Sequence, residues 1–188
     1  MRRAERDDEF AEFVSAHRGA LVSMGRLLTA GDQAWAEDLV QTTLTKLYVS
    51  WSRVRRAGNP VGYARTTLTH AFVDETRRAY RRREIAAGGA GDDAFITEGG
   101  SRTARASDSA PDVELRRDVL AALAGLAPRQ RAVVVLRHWL DLDVAETARL
   151  LDCTEGTVKS QNAKALAHLR AALGEHKFPA HPVPEEIR

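Results

Sequence analysis

The stretch that decides the fold is DVAETARLLDCTEGTVKSQNAKALAHLR, which runs from Asp143 to Arg170. Its apolar spacing predicts a short helix, a turn over residues 152–155 and a longer helix, which are the proportions of a helix-turn-helix. Asp143 and Thr154 precede the two helices, where Asp and Thr side chains commonly cap the first turn. We therefore predict that this part of the chain is a helix-turn-helix.

The second of these helices has two distinct faces. At about 100° per residue, Val158, Ala165 and Leu169 share the side that packs inward. The opposite side is small at its centre and basic at its edges, which suits close approach to a DNA major groove, although an inert solvated face is the alternative. The outward set comprises Gly156, Thr157, Lys159, Ser160, Ala163 and Lys164. Asn162 turns toward the packed side, so it ranks below these as a base-reading residue.

Helical periodicity also dominates the rest of the sequence, and no stretch alternates with a period of two. Apolar residues recur at helical spacing over 8–28 and 36–51. Asn59-Pro60 is a helix start, with Asn as the cap and Pro in the first turn, and the helix that follows extends to about Arg83. Its predicted buried stripe is Ala64, Leu68, Ala71 and Phe72, and its opposite stripe is Thr66, Thr69, His70, Val73 and Arg77. We therefore expect an all-α protein.

Composition divides the chain into four segments. We predict a helical domain over 1–85, a flexible linker rich in Gly, Ser, Ala and Asp over 86–111, and a second, four-helix domain over 112–175. The last residues, 176–188, contain three prolines and are expected to form an irregular tail. The fold class is thus two small helical domains joined by a linker, of which the second contains the helix-turn-helix.

Charge and chemistry narrow the function. The net charge is only +2, but arginines cluster at 53–56 and 77–83, which suits either a polyanion or a solubilising surface. Cys153 is the single cysteine, and no apolar run is long enough to span a bilayer. The histidines match no metal-binding spacing, and there is no phosphate loop or nucleophile elbow. We predict no enzyme activity, no cofactor and no metal site.

Three stretches together resemble a known family. AEDLVQTTLTKLYVSW (36–51), NPVGYARTTLTHAFVDETRRAYRRRE (59–84) and LAPRQRAVVVLRHWLDLDVAETARLLDCTEGTVKSQNAKALAHLR (126–170) are similar to bacterial extracytoplasmic-function (ECF) sigma factors of the sigma-70 family, of the actinobacterial SigE-like kind. The resemblance implies an RNA polymerase sigma factor that binds core polymerase and directs promoter-specific initiation at minus-35 and minus-10 DNA. The implied location is cytoplasmic and nucleoid-associated, without membrane insertion.

The resemblance also implies a role for each domain. In the first, Asp38, Gln41 and Lys46 would contact the β′ coiled-coil of core RNA polymerase. The loop before Asn59 and the helix after it would hold the melted minus-10 strand. The implied contacts are Arg53, Arg55, Arg56, Asn59, Thr66, His70 and Arg77.

The second domain would read the minus-35 duplex, and the β flap of core polymerase is a further implied partner. The implied DNA contacts are Arg129, Thr157, Lys159, Ser160, Ala163 and Lys164, and Arg131 would contact the DNA backbone. The sequence leaves open whether an anti-sigma factor is a further partner.

Some residues depart from the pattern of the ECF sigma factors, and a LuxR-like regulator is an alternative interpretation of the sequence. Asn162 stands where an apolar residue is usual, Gln161 where arginine is frequent, and Gly25 where a good helix former is typical. The alternative is a LuxR-like helix-turn-helix regulator without sigma activity, because EGTVKS also occurs in that class. Such a protein would carry a phosphoacceptor domain of alternating strands and helices, which the first half does not predict.

Overall fold

The computed structural model describes residues 3–86 and 111–174, and every regular element in these two ranges is helical. This confirms the all-α prediction. The predicted linker, apart from Ala86 and Pro111, and the predicted tail lie outside the described residues. No helix of the described part is long and apolar enough to cross a membrane.

Four helices form the first half: α1 (Arg3–Leu28), α2 (Gln33–Val49), α3 (Trp51–Arg56) and α4 (Pro60–Ala86). Local capping fixes their starts. Asp32 accepts a hydrogen bond from the Trp35 backbone N–H at 3.0 Å, and Asn59 Oδ1 accepts one from the Gly62 N–H at 2.8 Å. The Asn59-Pro60 helix start predicted from sequence is therefore confirmed.

The core of this half includes the predicted inward side of α4. The predicted stripe of Ala64, Leu68, Ala71 and Phe72 is buried, which confirms that prediction. Gly25 also has a packing reason: a Cβ at this position would lie 3.3 Å from the Ala36 Cβ and carbonyl oxygen. The glycine therefore allows α1 and α2 to pack closely.

The second half contains α5 (Pro111–Ala124), α6 (Pro128–Val134) with a π-helical extension (Val135–Trp139), α7 (Val144–Leu151) and α8 (Glu155–Leu173). Asp143 caps α7 by accepting from the Glu146 N–H at 2.7 Å, and Thr154 caps α8 by accepting from the Thr157 N–H at 3.1 Å. Asp152, between them, adopts a left-handed conformation at φ +49. The predicted helix-turn-helix is confirmed.

The two halves pack against each other. Helices α6 and α7 contact α4, and α6 also contacts α1. One continuous apolar cluster joins Met24, Leu28 and Leu68 of the first half to Leu136 and Leu151 of the second. Since neither half shows this in its own pattern, the contact between them was not predicted from sequence.

Candidate nucleic-acid and polymerase interfaces

Helix α8 presents the predicted reading face to solvent. Val158, Ala165 and Leu169 are buried, so the opposite side of the helix points outward. Lys159, Ser160, Ala163 and Lys164 are exposed, and Thr157 is half-buried. The Thr157 hydroxyl lies 2.9 Å from Thr154 Oγ1, and Ser160 Oγ donates to the Thr157 carbonyl at 3.0 Å. Among residues 3–86 and 111–174 neither Lys159 nor Lys164 has an ion-pair partner, and both lie beside small hydroxyl residues.

Asn162 has a partner that sequence reasoning did not identify. Its Oδ1 lies 3.0 Å from His138 Nε2, on the π-helical extension of α6. A polar group in a position that is usually apolar is thereby hydrogen-bonded, which removes the expected desolvation cost. The bridge also ties α8 to the π-helical extension of α6.

The His138–Asn162 bridge makes a small, measurable contribution to stability. We expect His138→Ala and Asn162→Ala to show a coupling of about 0.5–1.5 kcal/mol in a double-mutant cycle of urea unfolding, the usual net value of one hydrogen bond. Strictly additive effects of the two substitutions would contradict the bridge.

Arg129 and Arg131 lie two residues apart on α6 but differ in setting. Arg129 is half-buried, and its guanidinium donates to the Leu151 carbonyl at 3.1 Å. Arg131 is only 4% exposed and donates to the carbonyls of Leu28, Leu123, Ala124 and Leu126. The expectation that Arg131 contacts the DNA backbone is wrong, because its donors are used inside the protein.

Burial also changes the Arg131 charge. Removal from water lowers the pKa of its guanidinium to about 10, which leaves it protonated at neutral pH. The cation faces the carboxyl ends of α1 and α5, where unpaired carbonyls and the helix dipoles favour a positive charge. Arg131 therefore joins the two halves of the protein instead of facing DNA.

The arginines predicted in a loop before Asn59 belong to a helix. Arg53, Arg55 and Arg56 lie on α3, and all three are exposed. The loop prediction is wrong, because six residues anchored by buried Trp51 and Val54 form more than a helical turn. Arg55 pairs with Glu9 at 2.5 Å, whereas Arg56 Nε donates to the Ser52 carbonyl at 3.0 Å.

The outward stripe of α4 is where the structure departs most from expectation. Thr69, predicted to face away, is fully buried, and Thr66 and Arg77 are half-buried. His70 is exposed, but its Nε2 lies 3.1 Å from the Leu150 carbonyl of α7. Part of this side of α4 faces the second half of the chain, because His70 lies against α7 and Arg77 lines a small cleft with Arg129 of α6.

Helix α2 carries a continuous exposed stripe. Asp38, Gln41 and Lys46 are all exposed, as a docking surface requires. At about 100° per residue the same side also contains Thr45 and Val49, and Val49 is 82% exposed. These two residues were not predicted from sequence. The available signal was helical spacing, since Thr45 follows Gln41 by four residues and Val49 follows Asp38 by eleven.

Comparison with known proteins decides the family. Family models described as Sigma-70 region 2 and Sigma-70, region 4 match residues 13–82 and 116–169. The RNA polymerase sigma-E factor of Streptomyces coelicolor is 34% identical over 180 residues, covering 96% of this chain and 94% of that protein. The chain belongs to the sigma-70 family, as an ECF sigma factor.

Other relatives agree with this assignment. The ECF RNA polymerase sigma factor SigL of Mycobacterium tuberculosis is 32% identical over 156 residues, covering 79% of this sigma factor and 80% of SigL. The solved structure of the sigma factor RpoE, in complex with the anti-sigma factor NepR from Bartonella quintana, has a TM-score of 0.64. Its sequence is 23% identical, and the match covers 88% of this chain and 96% of that one. This similarity shows a shared fold.

Family membership settles the general activity. The protein is an RNA polymerase sigma factor, which binds core polymerase and directs promoter-specific transcription initiation. The LuxR-like alternative is not favoured, since both sigma regions are present in order. Sigma factors as a family are DNA-recognition proteins without enzymatic activity.

Proposed function

We propose that three helices of this sigma factor divide the work of initiation. Helix α8 reads the minus-35 duplex, α3 and α4 hold the melted minus-10 strand, and the exposed stripe of α2 docks on the β′ coiled-coil of core polymerase. The observation that carries the proposal is the free face of α8, where Lys159 and Lys164 flank small residues and form no ion pair within residues 3–86 and 111–174.

The chemistry of each surface supports its assignment. Lysines beside small residues let a helix approach the major groove and meet phosphate or guanine. Exposed Arg53 and Arg56 on α3 and the basic end of α4 suit the phosphates of a single strand. Asn59 also lies at the start of α4, where its side-chain oxygen caps the helix and its amide nitrogen would face the strand.

The proposal extends to setting and partners. We place the protein in the cytoplasm, associated with the nucleoid, where polymerase and promoters are found. Phosphodiester synthesis belongs to the polymerase, and this chain contributes recognition alone. An anti-sigma factor is a further proposed partner, by analogy with the RpoE complex.

The general proposal is tested by run-off transcription. Core polymerase, genomic fragments and the full chain are combined, and we expect discrete transcripts that depend on the added protein. The promoters recovered in this way supply the DNA for the experiments below. An absence of protein-dependent transcripts at every salt concentration would refute the assignment.

The role of α8 is tested by Lys164→Ala. We expect about a tenfold loss of affinity for minus-35 duplex, because one cationic contact is removed. The affinity should also depend less on salt, and the plot of log affinity against log salt should be less steep by about 0.9. Fluorescence anisotropy over a salt series measures both. Lys46→Ala is the matched control: it removes the same charge from α2 and should leave duplex binding unchanged. Equal effects of the two substitutions would contradict the proposal.

A further inference from the structure

Helix α3, proposed to hold the minus-10 strand, carries three arginines whose electrostatic surroundings differ. Arg53 and Arg56 are exposed and form no ion pair within residues 3–86 and 111–174. Arg55 is also exposed, but its Nη1 lies 2.5 Å from Oε1 of Glu9 on α1. Among the residues that the structure describes, Glu9 is therefore the one carboxylate that neutralises an arginine of this helix.

The packing of α3 on α1 brings Glu9 and Arg55 together. Trp51 anchors α3 on α1 through ring contacts with Phe10 and Phe13, at centroid distances of 5.2 and 5.1 Å. Arg55 follows Trp51 by four residues, so the two side chains lie on the same side of α3. Glu9 directly precedes Phe10 in α1. The ion pair is thus a consequence of the aromatic contact between the two helices.

The ion pair leaves polar groups unsatisfied on both sides. Arg55 uses one of its five N–H donors in the contact with Glu9, and its side chain is 46% exposed. Glu9 Oε2 and Trp51 Nε1 are both buried without a hydrogen-bond partner in the described part of the chain. Glu9 therefore holds Arg55 through a single oxygen, which is weaker than the two parallel bonds of a forked pair.

A phosphate group can displace the Glu9 carboxylate from Arg55. An ion pair at the surface contributes little stability, because water screens it and two long side chains lose freedom. A guanidinium can bind a phosphate through two parallel N–H···O bonds, and a DNA strand presents a continuous row of phosphates. Binding of a phosphate by Arg55 then includes the cost of separating it from Glu9, a cost that Arg53 and Arg56 do not have.

We propose that Glu9 limits the affinity of the sigma factor for the minus-10 strand, because its carboxylate competes with the phosphates of the strand for Arg55. This inference rests on the proposed strand-binding role of α3 and adds to it a residue of α1. Arg53 and Arg56 are available to the strand from the start, whereas Arg55 contacts it only after leaving Glu9. The strength of the α3 contact is therefore set partly from α1.

Glu9→Gln tests the proposal, since it keeps the size of the side chain and removes its charge. Glu12→Gln is the matched control, which makes the same change at an exposed residue of α1. Holoenzyme is assembled from core polymerase and each full-length variant, and fluorescence anisotropy measures binding of a single-stranded minus-10 oligonucleotide. We expect Glu9→Gln holoenzyme to bind about threefold to fivefold more tightly than wild type, the size of one exposed ion pair. Glu12→Gln should bind like the wild type.

A double-mutant cycle with Arg55→Ala separates competition from a general charge effect. Without Arg55 there is no cation to compete for, so Glu9→Gln should then change the affinity by less than about 1.5-fold. In the Glu9→Gln protein, Arg55→Ala should make the plot of log affinity against log salt less steep by about 0.7, because one phosphate contact of a single strand is lost. Thermal unfolding midpoints of the four proteins should agree within about 3 °C, since the pair is largely exposed.

The remaining outcomes overturn either the proposal or its premise. Equal binding by Glu9→Gln and wild type would overturn the proposal, and weaker binding would show that Glu9 positions Arg55 for the strand instead of competing for it. The same gain with and without Arg55 would indicate a general charge effect and would also overturn it. If Arg53→Ala and Arg56→Ala leave binding of the oligonucleotide unchanged, the proposed role of α3 fails, and this inference fails with it.

Discussion

Replacing Arg131 with methionine is expected to lower the free energy of unfolding by about 3–5 kcal/mol. Arg131 donates to four backbone carbonyls, at the ends of α1 and α5 and in the turn before α6. Methionine fills part of the volume but leaves these buried acceptors without a donor. Urea unfolding measures the loss, and in a thermal scan the midpoint should fall by roughly 10 °C or more.

Arg129→Met is the matched control for this prediction. It removes the same charge two residues earlier on α6, from a half-buried side chain, and should cost about 1 kcal/mol. If Arg131 contacted DNA instead, Arg131→Met would leave stability unchanged and reduce duplex affinity. That result would contradict the assignment of Arg131 to the contact between the halves.

Charge reversal at Asp38 is expected to weaken core polymerase binding about 30-fold or more, which corresponds to about 2 kcal/mol. Asp38 is exposed on α2 in line with Gln41, Thr45 and Val49, so Asp38→Lys replaces a docking group without disturbing the core. The measurement is equilibrium binding of the labelled full chain to core polymerase. Thermal unfolding of the variant should match that of the wild type.

Glu12→Lys is the control for Asp38→Lys. Glu12 is exposed on α1, and its reversal changes the net charge by the same amount. We expect this variant to bind core polymerase like the wild type and Asp38→Lys to keep its affinity for minus-35 duplex. Similar losses of polymerase binding in both variants would indicate a general charge effect and would contradict a specific docking role.

Local signals made the helix-turn-helix and the α4 core predictable. Asp143, Thr154 and Asn59 precede helices in sequence patterns that directly encode capping, and Val158, Ala165 and Leu169 follow helical periodicity. These features depend on residues only a few positions apart. The sequence therefore determined the helices and the outward face of α8.

Residues whose surroundings come from distant parts of the chain were not predictable. Arg131 is buried with one of its four acceptors, the Leu28 carbonyl, in the other half of the chain, and His70 lies against the Leu150 carbonyl of the other half. Helix α3 has only six residues and no side-chain cap, so no start signal marks it in the sequence. The roles of individual DNA- and polymerase-binding residues remain predictions for the experiments above.

The continuous apolar cluster has a consequence for synthesis on the ribosome. The apolar cluster to which α1 and α4 contribute also contains Leu136, Leu151 and Val158, which are translated long after Ala86. At typical elongation rates of about 5–20 residues per second, the first half emerges roughly 4–15 seconds before its covering helices. During that interval the nascent chain displays the uncovered α4 surface. A newly made molecule therefore exposes the apolar side of α1 and α4 to solvent before its two halves first pack together.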